Sequence, residues 1–561
     1  MKRIEQLAAA LLLALLAACG GNDREKGGNG GAGKSADEDS SVPEAQRFGG
    51  TAVVAIGQDI ADINPLTSAD NNSNQVQMFV LFTPVVHYNE KLEPIPALAK
   101  RWELNADSTE LTFHLRDDVY WQDGVRTTAH DLKLAYDLAR TPETAFPNSA
   151  WWTHYGDATV PDSFTFRVEL EPHAEFMDPW RTFFAVPRHV LGNVKPVDLK
   201  SHPFSNRTPI GNGPFKFVGR VDGQSWTFAA NERYPAELGG RPYLDRLIVR
   251  VIPEATTRLT ELLTGRADFY MQVTPEQTPQ VERSPNARLV TFRNRSYVLL
   301  GWNQRRDLFK DVRVRRALTM AIDKRGIIEG VLYGYGDEAH SSVPPIYWQY
   351  DSIAGREVRY DPEGARRLLA EAGWQDRNGD GVIENARGTP FRFTLKTNTG
   401  NQERKDLTEV IQANLRQVGV DAQLQLVEFG TLISQLNDPV RRDFDAVVMG
   451  WIAEFKLDDT DLFHCEKHDE PYQWVSYCNR ATDRFLDTLP KIVSREEAKP
   501  VWAAYQRQIA ADQPYTFLYY QHRVEGVANR LRNVHPDARG DLVGVARWFI
   551  DPAQRGAAQA R

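Results

Sequence analysis

The chain has 561 residues, enough for two or three core-bearing lobes. A formal charge of −8 excludes a general nucleic-acid binder, which needs a basic surface. Hydrophobic residues at 42% and charged residues at 25% give the balance of a soluble body, and 13 tryptophans with 19 tyrosines supply material for pocket walls.

Lys2 and Arg3 precede Leu7 to Ala18, a run of leucine and alanine alone. It is too short to span a bilayer comfortably and reads as a secretion signal over residues 1–18. Leu16-Ala17-Ala18 stand directly before Cys19. This pattern resembles the bacterial lipobox, which implies that Cys19 is lipidated and becomes the mature N-terminus. An ordinary signal peptide with a chance cysteine is the alternative. No other stretch is apolar for the roughly 18 residues that a span needs, so the expected body is soluble and tethered. Residues 19–47 form that tether, rich in Gly, Ser, Asn and charge and without an aromatic before Phe48. Gly28, Gly30 and Gly33 spell a dinucleotide fingerprint there, but with no strand before it and no amphipathic helix after it the match is compositional.

Thr51 to Ile56 is the first predicted strand, and Met78 to Val86 a helix or strand end. Glu110 to Leu115 alternates apolar and polar as a half-buried strand does, and Phe164 to Leu170 repeats the pattern. Between them Thr128 caps a helix that begins at Ala129. Gly211 to Pro214 is a tight turn before a further strand, and Leu247 to Ile252 is predicted as a buried one. Thr256 to Thr264 is helical and stops at Gly265. Asp311 to Lys324 is predicted as one helix with Val314, Leu318, Ala321 and Ile322 on one face. Asp361 with Pro362 opens another, which stops at Gly373. Strand 391–396, helix 404–417 and strand 422–427 follow. Strands interleaved with helices predict an α/β protein with largely parallel sheets.

Phe444 to Asp487 holds the pattern closest to a binding site. Ala446 to Met449 is a short strand-like run that ends at Gly450, with Trp451 next and Glu454 three residues further on. A glycine, a flat aromatic and a carboxylate at a strand exit suit the capture of a cationic group. On spacing alone, a core tryptophan and a solvated loop acid are the favoured reading. Catalytic signatures are absent: no G-x-S-x-G elbow, no H-E-x-x-H and no P-loop, so no catalytic residue and no cofactor is assigned. Asp376 to Glu384 looks like the start of a calcium loop, but Arg387 stands where the closing glutamate belongs, which favours a structural turn. Cys465 and Cys478 remain once Cys19 is assigned to lipid. In an exported protein this pair reads as a disulfide, with a zinc site shared with His464 and His468 as the alternative.

Several segments in fixed order carry a resemblance: Ala97 to Asp137, Ile210 to Phe217, Arg241 to Asp245, Phe309 to Leu318 with Ala321 to Lys324, and Tyr477 to Asn479 ahead of Asp483. From about Phe48 onward the chain resembles the family 5 extracellular solute-binding proteins, the peptide-binding components of bacterial ABC importers. The resemblance implies a two-lobed periplasmic-binding fold of the class II type that closes by hinge bending, with an extra domain inserted in the first lobe. Carried onto this chain, lobe I takes residues 48–87, 205–295 and 510–550, the inserted domain 88–204 and lobe II 296–509. It also implies a charged partner for a peptide amino terminus at Glu454, where peptide-binding members have aspartate, one methylene shorter. Trp302, Tyr347 and Trp348 are placed by position as further enclosing aromatics beside Gly450 and Trp451. The implied partners are a small peptide and the importer's permease, with a lipid anchor, no nucleic acid and a monomeric body facing the periplasm or exterior. A sugar, a chelated metal or an opine on the same scaffold, a sensory receptor without a transporter, or a secreted hydrolase are the rival readings.

Overall fold

The computed structural model describes residues 41–557 apart from 69, 174–175 and 454–455. The leader, Cys19, most of the tether and Glu454 therefore lie outside the described residues.

β1 (Thr51–Ile56) is followed by a short ribbon of β2 (Val86–Tyr88) and β3 (Pro94–Pro96). β4 (Ala99–Leu104), β5 (Glu110–Leu115), β6 (Tyr155–Asp162) and β7 (Thr165–Leu170) form a separate antiparallel sheet in the order β4-β5-β7-β6. Alternation works here as the sequence predicts: Leu111, Phe113 and Leu115 of β5 and Phe166, Val168 and Leu170 of β7 all point into the core. The helix Ala129–Arg140 is buried with them through Leu132, Ala135 and Tyr136. Its start is fixed by Asp131, whose carboxylate accepts from the Thr128 backbone N–H at 2.7 Å.

The main sheet draws on β8 (Phe215–Val221), β9 (Ser225–Ala230), β10 (Arg246–Val251), β11 (Phe269–Tyr270), β12 (Ala287–Arg293), β13 (Ser296–Trp302), β14 (Gly336–Glu338), β15 (Arg392–Asn398), β16 (Asp421–Val427), β17 (Ala446–Ile452) and β18 (Tyr515–Ala528). Its order is β16-β15-β17-β13-β18-β11-β1-β10-β9-β8, with β12 and β14 also paired to β18. β19 (Leu531–Arg532) and β20 (Phe549–Ile550) make a final ribbon. The sheets are mixed, which corrects the parallel expectation. β1 runs parallel to β10 and β11, and β15 parallel to β16 and β17, while every pairing made by β13 and β18 is antiparallel. Helical crossovers connect the parallel trio at one end, but the centre is built from long returns that periodicity does not reveal.

Two groups of strands thus meet on one strand. Tyr515 to Tyr519 of β18 pairs with β13, and His522 to Ala528 pairs with β12. A distinct apolar core lies on the β13 side, built from Leu300, Trp302, Phe309, Leu318, Phe393 and Ile411 among others. The helix expected over 311–324 is in fact two, Val312–Met320 and Lys324–Gly330, because the Asp323 side chain caps the second at Gly326. The turn at Gly211–Pro214 packs directly on Leu81: a Cβ on Gly211 would lie 2.1 Å from the Leu81 carbonyl oxygen. Only glycine allows that approach.

Candidate functional site

β17 is buried from Ala446 to Met449, half-buried at Gly450 and Trp451, and 65% exposed at Ile452. The cause is register. β13 accompanies β17 along its whole length, but β15 pairs with it only at Ala446 and Val447. The last residues of β17 therefore have an open flank, and Arg404 lies across it. A Cβ on Gly450 would stand 3.0 Å from Arg404 Nη2, so the glycine is what lets the guanidinium approach the strand.

Arg404 belongs to the first turn of the helix Gln402–Gln417, capped by Asn401, whose side chain accepts from the Arg404 backbone N–H at 2.9 Å. Its guanidinium donates to Asn398 Oδ1 at 2.6 Å. Neighbouring Glu403 accepts from the Tyr519 hydroxyl at 2.9 Å and the Gln521 amide at 2.8 Å, both on β18. Burial pushes the Glu403 carboxyl above its ordinary value despite these donors and Arg404, and the Glu276 carboxylate pushes the same way. Burial lowers the Arg404 guanidinium in turn. Sequence reasoning missed this pair. The available signal was a polar turn, Asn398 to Asn401, placing two opposite charges at a helix start directly after a buried strand.

Trp451 meets two rings edge-on, Trp474 at 5.5 Å and Tyr472 at 6.0 Å between centroids. Both rings ride on the loop closed by the Cys465–Cys478 disulfide. Fully buried Arg442 braces that loop by donating to the Glu470 carbonyl at 2.6 Å, and the Trp474 indole N–H donates to Asn437 Oδ1 at 2.9 Å. Beyond β17, the Ala453 carbonyl accepts from Arg295 at 2.9 Å and from the Tyr347 hydroxyl at 3.2 Å. Tyr347 is buried at this contact, and Trp348 is half-buried with the Arg495 guanidinium 5.4 Å from its ring centroid.

Trp302 is elsewhere, and its expected enclosing role is corrected. It is fully buried in the second core against Phe309 and Phe393, and its indole N–H donates to Thr516 at 3.1 Å. The acid-rich turn is organised by its own backbone: Asp376 accepts from the Gly379 and Gly381 N–H groups at 2.7 and 3.0 Å. Among the described residues no helix is long and apolar enough to cross a membrane.

A family model described as bacterial extracellular solute-binding proteins, family 5, matches residues 93–470. The oligopeptide-binding protein AppA of Bacillus subtilis is 32% identical over 513 residues, which cover 91% of this chain and 93% of that one. Its structure in complex with a nonapeptide superposes with a TM-score of 0.73 at 31% identity, covering 90% of this chain and 99% of that one. Heme-binding protein A of Haemophilus influenzae is 27% identical over 431 residues, 72% of this chain and 74% of that one. NikZ of Campylobacter jejuni, solved with Ni(L-His), shares the fold with a TM-score of 0.73 at 24% identity, covering 89% of this chain and 99% of that one. The fold is the two-lobed α/β type of the periplasmic binding proteins.

Proposed function

Because the chain belongs to the family 5 bacterial extracellular solute-binding proteins, we propose that it is the capture subunit of an ABC importer, and that its cargo is a peptide. The observation that carries this reading is the exit of β17. A half-buried Trp451, walled by Tyr472 and Trp474, stands at a strand end flanked by the Glu403–Arg404 pair. Aromatic walls with a few aimed polar groups are what a small-ligand site needs. The nonapeptide bound to the Bacillus subtilis relative supports the ligand class.

In this scheme Glu454 pairs with the ligand's ammonium group, Trp451, Tyr347 and Trp348 enclose the main chain, and the ligand leaves chemically unchanged. Residues 48–87, 205–295 and 522–550 form one lobe and 296–521 the other, the boundary expected at 510 moving because Tyr515 to Gln521 pair with β13 and β14 and only His522 onward pairs with β12, and 88–204 form the inserted domain. Cys19 carries the lipid that holds a monomeric body at the membrane, facing the periplasm or exterior, where the permease collects the closed form. Calorimetric titration with peptides tests the key contact. Glu454→Gln is expected to weaken binding by about 2–5 kcal/mol, the cost of removing one buried charge partner. Unchanged affinity removes Glu454 from the site. Native mass spectrometry of the purified protein identifies any co-purified ligand, and a heme or a nickel–histidine complex in place of a peptide overturns the cargo assignment.

A further inference from the structure

A groove of about 560 Å³ opens beside β14, away from the site at the end of β17. Tyr519 and Gln521 of β18 donate to Glu403 on one face of the sheet, and successive side chains of a strand alternate between faces. Tyr520 and His522 therefore turn to the other face. There His522 contacts Asp337 of β14 at 2.9 Å, and Asp337 accepts from Arg293 at 2.7 Å. Both Arg293 and Asp337 line the groove, which thus lies on the face opposite Glu403. The strands β13 and β18 stand between β14 and β17.

The groove is also lined by Arg356, Arg359 and His340. Arg356 and Arg359 are exposed, but the turn that carries them is fixed. Ala354 and Val358 are each 2% exposed, and Asp351 at the start of the turn accepts from Arg507 at 2.8 Å. Gly355, at φ 72°, packs so closely that a Cβ there would lie 3.1 Å from the His340 Cβ. Among the described residues neither Arg356 nor Arg359 forms an ion pair or a side-chain hydrogen bond. The acids of the lining are engaged elsewhere: Asp337 with Arg293 and His522, and Glu338 with the field of the buried Lys324 ammonium. Lys324 donates to the Ala339 carbonyl at 2.7 Å, directly before His340. With it, the three lining arginines make four cations against two carboxylates. His340 registers that field, since burial, Lys324 and Arg356 push its imidazole down to about 3. Its Nδ1 is buried with no partner among the described residues.

Two guanidiniums without acceptors, held on a fixed turn, match an oxyanion, because the planar fork can take two oxygens at once. We propose that this groove binds the phosphate group of a small molecule, with Arg356 and Arg359 as its main partners and Arg293 contributing from β12. The volume is that of a small-ligand site and exceeds what a bare phosphate fills. The chain as a whole carries a formal charge of −8 and repels anions, so any anion binding must be local.

The test titrates the full chain calorimetrically with inorganic phosphate and with pyrophosphate, in chloride at physiological ionic strength, where exposed charges are screened beyond about 8 Å. Pyrophosphate is expected to saturate one site with a Kd below about 1 mM. Replacing both partners, Arg356→Gln with Arg359→Gln, should weaken it by about tenfold or more. Arg367→Gln with Arg387→Gln removes the same charge from exposed positions outside the groove, and should leave the affinity within about twofold. The inference is overturned if neither anion saturates a site, or if the affinity survives Arg356→Gln with Arg359→Gln. It is overturned equally if the control pair loses as much, since the anion then answers to net charge and not to the groove.

Discussion

Asp459 shows how much a single residue can cost. Burial raises its carboxyl to about 6 from the ordinary 3.8, and the Ser342 and Tyr505 hydroxyls that donate to it offset only part of the penalty. The folded state holds this proton over a range where the unfolded chain has released it, so stability falls as pH rises from 3.8 to about 6, and the penalty persists above. Asp459→Asn keeps an oxygen for both hydroxyls and removes the charge. It is expected to flatten that part of the pH profile and to add about 1–3 kcal/mol at neutral pH, measured by urea unfolding across the range. A profile that still falls as steeply in the variant assigns the slope to other groups. The same scale marks the limit of what the sequence reveals. Gly301-Trp302 and Gly450-Trp451 are the same dipeptide, on strands that pair antiparallel. Trp302 stands opposite Ala446 at the buried end, and Trp451 opposite Tyr297 at the open end. No local pattern separates the two, because their fates are set by where β15 stops pairing with β17. The signal at Glu403 and Arg404 was weak for a related reason: charges in a helix's first turn resemble solvated ends until the neighbouring strand is in place.

At the scale of elements, the loop between Cys465 and Cys478 delivers two of the rings around Trp451. Tyr472 and Ser476 both adopt positive φ, of 74° and 52°, a conformation that tertiary contacts must hold in place. Replacing both cysteines by serine is expected to cost about 3 kcal/mol of stability by chain entropy. It should also weaken the binding of peptides, since the rings then pay for their own ordering on each encounter. Denaturant unfolding and calorimetry of Cys465→Ser/Cys478→Ser measure the two effects, and a loss of stability with unaltered affinity separates the loop from the site. Elements with strong local signals were legible. Asp361 caps its helix by accepting from the Gly364 N–H at 2.8 Å, with Pro362 at the first helical position, as the sequence predicts. Gly265 ends its helix at φ 74°. The π-helical turn Gln77–Leu81 was not legible, because it is shaped by the close approach of Gly211 and Gly213 to Leu81, far away in sequence. The direction of the strands was misjudged for the same reason, since interleaving with helices does not record which returns are long.

For the molecule as a whole, the two-lobed fold makes β18 the decisive element. Its 14 residues extend roughly 46 Å at strand spacing and serve one set of partners with each half. Where the halves meet, Asp337 on β14 accepts from Arg293 at the end of β12 at 2.7 Å and contacts His522 at 2.9 Å, so one carboxylate ties the chain crossings together. Burial works against that carboxylate, but the hydrogen bonds from His522 and Arg293 outweigh it and hold it well below its ordinary range. In the closure proposed above, this braced, continuous strand serves as the hinge. A ligand moves such a hinge only through its higher affinity for the closed state. A peptide at 100 times its Kd should then stabilise the protein against unfolding by about 2.7 kcal/mol. The same addition should reduce the radius of gyration in solution scattering. Stabilisation without any compaction means that the ligand occupies one lobe and leaves the hinge where it was, and capture by closure is then wrong for this protein.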